Sequence, residues 1–146
     1  MTRIEFSVEN RPPRKYRNNS LWSSDSEAPL VKKLRECAIN ARKNTGLNEH
    51  FSCPVKIELI VYSSNIASIN DSYNYVGDLD AFVSGICESL QPADKQAHIH
   101  EIFVVNEDSY PTKPILFLDD SQVIEINARK VKSENTSYTL SIEDIK

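Results

Sequence analysis

The residues best able to do chemistry in this chain are four aspartates in two short apolar settings. Asp78 and Asp80 lie in Gly77-Asp78-Leu79-Asp80-Ala81-Phe82, at the opening of an amphipathic segment, and Asp119 and Asp120 close the run Ile115-Leu116-Phe117-Leu118. Folding that joins the two places would concentrate negative charge, which a divalent cation or protonation relieves. Oxygen-only donors suit Mg²⁺ or Mn²⁺, and an ion so held can activate water, polarise a phosphoryl oxygen and neutralise a leaving alkoxide. Phosphodiester hydrolysis is the chemistry such a centre performs. Each motif also has a plainer use: aspartate caps helices and suits their positive ends, and paired aspartates start turns. Both motifs in one small chain, each beside an apolar element that can hold it rigidly, favour the metal.

The elements that must position these acids can be read from hydrophobic spacing. Ile4, Phe6 and Val8 alternate with polar residues, the period of a half-buried strand. Residues 10–26 read as an irregular basic arm, with Arg11, Arg14, Lys15 and Arg17 around Tyr16 and Trp22 close behind. From Pro29, the residues Leu30, Leu34, Cys37, Ala38 and Ala41 recur at helical spacing until Gly46 supplies a stop, and Lys32, Lys33, Arg35, Arg42 and Lys43 fall on the other face. Val55, Ile57, Leu59 and Val61 alternate as a second strand. Asp80 is expected to cap a helix whose face is Phe82, Val83, Ile86 and Leu90, ended by Pro92. Residues 63–76 are ambiguous. Residues 99–105 fit an added strand, 115–118 a buried segment that delivers Asp119 and Asp120 to an exposed end, and 123–131 and 138–142 two last strands. The expected fold is α/β or α+β: one domain over residues 1–146, a mixed sheet packed by two main helices.

Composition sets bounds on the function. A chain of 146 residues, 40% hydrophobic, can bury a core without disulfides. Cys37, Cys53 and Cys87 show no Cys-x-x-Cys spacing, so reduced thiols in a cytoplasmic protein are expected. No segment has the apolar length of a membrane span, and Met1-Thr2-Arg3 lacks the start of a secretory signal. The net charge of −4 hides an asymmetry, since residues 1–50 balance to +4 and residues 51–146 to −8. An acidic catalytic centre beside a basic arm gives this distribution, and so does an acidic domain with one basic helix. His98 and His100 would share one side of a strand, which permits a metal pair, although surface polarity is the plainer reading. Three glycines cannot make a phosphate-cradling loop, and no serine lies in a Gly-x-Ser-x-Gly elbow.

The stretch Gly-Asp-Leu-Asp-Ala-Phe-Val-Ser-Gly-Ile-Cys-Glu-Ser-Leu, with the later Ile-Leu-Phe-Leu-Asp-Asp-Ser-Gln-Val-Ile-Glu-Ile-Asn-Ala-Arg-Lys, resembles the RusA-type Holliday junction resolvases. Their pattern is Asp-Leu-Asp-Asn, a helix, then Asp-Asp-x-Gln-Val and a lysine-bearing strand. The likeness extends to Pro54-Val55-Lys56-Ile57-Glu58-Leu59 and to Arg11-Pro12-Pro13. It implies a RusA-like fold and a homodimeric, Mg²⁺-dependent endodeoxyribonuclease that nicks four-way DNA junctions symmetrically. Asp78, Asp80 and Asp120 match the family's metal-binding carboxylates, with Asp119 beside them. The arm's Arg11, Arg14, Lys15 and Arg17, and Lys130 of the strand, become candidate contacts to DNA, with Tyr16 and Trp22 placed to stack on exposed bases. Two positions depart from the pattern: Ala81 stands for the usual Asn, and Ser84 for a catalytic Lys one turn into the helix. Residues 91–114 also exceed the family's usual connection. These departures leave a second reading open, a catalytically impaired RusA-like module that binds DNA or another protein.

Overall fold

The computed structural model describes residues 1–69, 71–104 and 107–145, with the side chain of Glu107 outside the description. The protein is a single small α+β domain in which a four-stranded mixed sheet carries two helices. Strand β1 (Arg3–Glu9) leads through the arm into α1 (Ala28–Asn44), and β2 (Val55–Ser63) leads into α2 (Leu79–Leu90). Short 3₁₀ turns then precede β3 (Val123–Lys132) and β4 (Ser137–Asp144). The sheet order is β1-β4-β2-β3, with β4 antiparallel to both neighbours and β3 parallel to β2. A parallel pair needs a crossover, and α2 provides it, so α2 runs opposite in direction to β2 and β3.

Alternation in β2 is strict: Val55, Ile57, Leu59, Val61 and Ser63 are buried, and the residues between are half-exposed. The buried set joins Ile4, Val8, Leu34, Ala38, Phe82, Ile86, Leu90, Tyr138, Leu140 and Ile142 in the main core. Residues 115–117 also enter it, and Phe117 bridges Phe51, so the apolar run before Asp119 is fixed in place. α1 begins with Pro29 in its first turn and stops at Thr45, where Gly46 takes φ +87°.

Three sequence expectations need correction. Arg35 does not lie on the polar face of α1; it is the largest fully buried side chain among the described residues. Its guanidinium donates to the main-chain carbonyls of Ser89, Gln91, Ser109, Tyr110 and Lys113 and sits 5.2 Å from the centre of the Trp22 ring. Burial draws its pKa down to about 9, which leaves it charged at neutral pH. Residues 99–104 form no strand: Glu101–Phe103 is a 3₁₀ turn, and residue 105 lies outside the described residues. Phe103 instead joins Leu21, Trp22, Ala28, Val31 and Ala93 in a second core that ties the arm, α1 and the long connection together. His98 and His100 accordingly have no shared strand face. The Nδ1 of His100 accepts from the Ile102 amide, and its Nε2 lies 3.0 Å from Asp25 Oδ1.

Candidate active-site groove

α2 begins at Asp78, which holds the N-cap position with extended backbone, and Asp80 falls inside the first turn. The cap expected of Asp80 is thus displaced by two residues, and neither side chain makes a capping hydrogen bond. Asp78 is held otherwise: the Tyr75 hydroxyl donates to its Oδ1 at 2.9 Å, and Lys130 Nζ donates to that hydroxyl oxygen at 2.8 Å. The same ammonium donates to the Gly77 carbonyl at 3.2 Å and lies 4.6 Å from the centre of the Tyr75 ring. Lys130, expected at DNA, is therefore committed to the turn that carries Asp78. Gly77 adopts φ +137°, and a Cβ there would meet Phe82 Cζ at 2.8 Å and Arg14 Cδ at 2.9 Å, so only glycine lets this turn close.

At the start of β3, Asp119 opens the 3₁₀ turn Asp120–Gln122 through a capping box. Its Oδ1 accepts from the Ser121 amide, while Gln122 Oε1 accepts from the amides of Leu118 and Asp119. Gln122 Nε2 donates to the carbonyls of Phe51 and Cys53, which binds the turn to the core. The hydrogen bond from the Ser121 amide holds the Asp119 carboxyl below its usual range. Partial burial, and then the neighbouring Asp119, raise Asp120. The Asp120 amide donates to Gln91 Oε1 at 2.8 Å, which fixes this acid to the C-terminal end of α2.

Between α2 and β3 runs an open groove of about 460 Å³, lined by Lys15, Ser84, Cys87, Glu88, Gln91 and Asp120 over Val83, Val123 and Ile126. Glu88 was not among the sequence-derived candidates. Burial raises its pKa, opposed by Lys15 and reinforced by Asp120. Cys87 beside it is pushed up to about 11 by burial and then by Asp120, which makes it a poor nucleophile. Lys15 reaches the groove because its amide donates to the Ala81 carbonyl at 3.0 Å, and its Nζ lies 3.9 Å from Glu88 Oε2 and bonds the Asn19 carbonyl. A cation thus stands in the groove beside Ser84. Periodicity along α2 puts positions 80, 84, 87, 88 and 91 on one side, but only Asp80 carried a motif signal.

The arm crosses α2 closely. A Cβ on Gly85 would lie 2.1 Å from the Pro13 carbonyl oxygen. Arg11 forms a paired contact with both Glu27 oxygens at 2.9 and 2.7 Å, and the Arg14 amide donates to the same carboxylate at 2.7 Å. Burial alone would raise Glu27, yet the Arg11 hydrogen bond, the Arg14 amide and the two guanidinium charges bring its pKa below the usual value. Arg11 and Arg14 therefore anchor the arm, and Trp22, 3% exposed, is buried rather than free to stack on a base. Tyr16 and Arg17 at the arm's tip remain exposed.

The four acids are not gathered in one place. Asp78 and Asp80 sit at the N-terminal end of α2, and Asp120 is tied to its C-terminal end. The Asp120 carboxyl acts on Cys87 and Glu88, which lie about 10 Å along the helix from Asp80 at 1.5 Å per residue. Among the described residues no three His, Cys, Asp or Glu side chains form a group that would hold a metal ion. The donors therefore suit a hard cation in chemical type but, within one chain, not in position. Among the described residues no helix is long and apolar enough to cross a membrane. No protein-family model matches the chain, and no curated protein matches it.

Proposed function

We propose that this protein is a RusA-type endodeoxyribonuclease, dependent on Mg²⁺ or Mn²⁺, that acts on four-way or other branched DNA as a homodimer. One observation carries the reading: an open groove between α2 and β3 holds Lys15 beside Asp120, and at the start of α2 Asp78 is linked through the Tyr75 hydroxyl to Lys130. Phosphate needs positive charge to dock, and acids are needed beside it to hold the cation. Lys15 supplies within the groove the cationic group that Ser84 does not. Arg17 and Tyr16, at the exposed tip of the arm, are the groups free to meet a DNA backbone and a base. Two cuts in a junction require two sites related by a dyad, which a homodimer provides.

The test is incubation of the full chain with a labelled four-way junction in Mg²⁺ and in Mn²⁺, beside Asp80→Asn and Asp120→Asn variants. Paired nicks from the wild type, reduced about 100-fold or more in either variant, are the expected result. Binding should weaken steeply with salt, since released counterions drive phosphate contacts. The distance between the acids and the serine at position 84 favour a second reading, a RusA-like module that binds branched DNA without cutting it. Salt-dependent binding with no cleavage in either metal selects that reading and ends the first.

A further inference from the structure

β1 ends the strand order on the side away from the α2–β3 groove, and β4 is its strand neighbour. The Asn10 amide donates to the Thr136 carbonyl and the Asp144 amide to the Thr2 carbonyl, which fixes the phase of the β1–β4 ladder. Even-numbered residues of β1 therefore turn their main-chain groups toward β4, and Arg3, Glu5, Ser7 and Glu9 turn theirs outward. The space they face is open. One cavity of about 1000 Å³ touches Ser7, Val8, Glu9 and Asn10 across from Lys33 and is bordered by the turn at Asn135 and Thr136. A second, of about 350 Å³, touches Glu5, Phe6 and Ser7 across from Cys37, Ala41 and Asn44. Each takes in residues from both faces of β1, which sets it against the edge of the strand. α1 forms the opposite wall, since Lys33, Cys37, Ala41 and Asn44 fall on one side of that helix. The two sides match in length: β1 advances about 17 Å from Glu5 to Asn10, and α1 about 17 Å from Lys33 to Asn44.

We infer that the groove between β1 and α1 receives an extended segment of a partner protein as a fifth strand, antiparallel to β1. Outward amides and carbonyls in a row are satisfied by another extended chain, and a helix alongside supplies the side-chain contacts that select it. The antiparallel sense is the more stable one, and it pairs Glu5, Ser7 and Glu9 through both main-chain groups. Side chains opposite Val8 and Phe6 point toward α1. The one opposite Val8 meets Lys33, which is exposed and makes no ion pair among the described residues, so an acid belongs there. The one opposite Phe6 meets the half-buried Phe6, Cys37 and Ala41, so a branched aliphatic residue belongs there. Side chains opposite Glu9 and Glu5 lie on the open face of the sheet beside those acids, where lysine is complementary, and threonine suits the hydroxyl of Ser7. Read from its N-terminus, the complementary core is Lys-Glu-Thr-Val-Lys. DNA cleavage in the α2–β3 groove plays no part in this docking.

The test is fluorescence anisotropy of a labelled peptide that carries Lys-Glu-Thr-Val-Lys, titrated with the full chain, with thermal melts as a check on folding. Ser7→Pro removes an outward amide that β4 does not use, so the sheet persists while peptide binding weakens about tenfold or more. Lys33→Glu should weaken binding by a similar factor, and a peptide with lysine in place of its glutamate should recover it on that variant. In hydrogen exchange, the peptide should slow the amides of Glu5, Ser7 and Glu9 and leave those of β3 unchanged. No binding at about 1 mM peptide, or binding indifferent to both substitutions, overturns the inference. Self-association of the wild type that Ser7→Pro abolishes also overturns it, because a second copy then fills the groove.

Discussion

Replacing Arg35 by Met keeps most of the buried volume and removes the charge together with all five hydrogen bonds. The carbonyls of Ser89, Gln91, Ser109, Tyr110 and Lys113 then lose their common donor. A hydrogen bond to a charged group is worth about 1.5–3 kcal/mol net of what water supplies, so the two buried ones, to the Ser89 and Ser109 carbonyls, contribute roughly 3–6 kcal/mol. The Tyr110 carbonyl keeps the Lys113 amide as a donor, and the part-exposed Gln91 and Lys113 carbonyls regain water. The balance is a loss of about 3–5 kcal/mol, a large part of the stability of an ordinary domain. A fall of about 6–20 °C in Tm follows for a chain of this size. Urea titration gives the free energy, and hydrogen exchange gives its location. Amides of residues 91–104 and 107–114 should exchange faster, while β2 and β4 change only with global stability. Arg35→Lys should recover less than half, because one ammonium cannot reach five carbonyls. Gln91 is in the clasp and also holds the Asp120 amide, so junction cleavage should fall with it. An Arg35→Met protein within about 1 kcal/mol of the wild type and unchanged in exchange would refute the account.

Two further outcomes follow from the arm. Glu27 has a lowered folded-state pKa, so its contribution is present above the ordinary value of 4.5 and is lost as pH falls through the folded value. Glu27→Gln should cost about 1–3 kcal/mol at pH 7 and show a shallower acid limb in a stability-against-pH titration; an unaltered limb would contradict this. Gly85→Ala should lift the arm off α2, because the new methyl would overlap the Pro13 carbonyl. Overpacking of about 1–3 kcal/mol then outweighs the gain of roughly 1 kcal/mol in helix propensity. Faster tryptic cleavage after Lys15 or Arg17 reports the change, and a variant more stable than wild type with an equally protected arm would count against it.

Legibility in the sequence followed the range of the interactions involved. Strands β1 and β2, the helix from Pro29 and the helix beginning near Asp80 were readable because their apolar spacing is local and unbroken. The buried run before Asp119 was readable for the same reason. Arg35 was not, since its burial depends on carbonyls presented 54 to 78 residues away, which no window on α1 contains. The long connection misled because Ile99, Ile102 and Phe103 have strand-like composition but serve a second core built with Trp22 and Val31. The acid motifs were legible as motifs; their relative position was not, because it depends on which way α2 runs between β2 and β3. Glu88 carried no pattern at all, and Lys15, legible only as part of a basic arm, is seen beside Glu88 and Asp120 only when the arm is laid across the helix.

The position of β4 bears on how the sheet assembles. β4 is flanked by β1 and β2, so neither of those earlier strands has its antiparallel neighbour until β4 has docked. Closure of the sheet is then driven by contacts between distant parts of the polypeptide and slow for that reason. Removal of β4 would leave two unsatisfied strand edges facing each other across an empty slot.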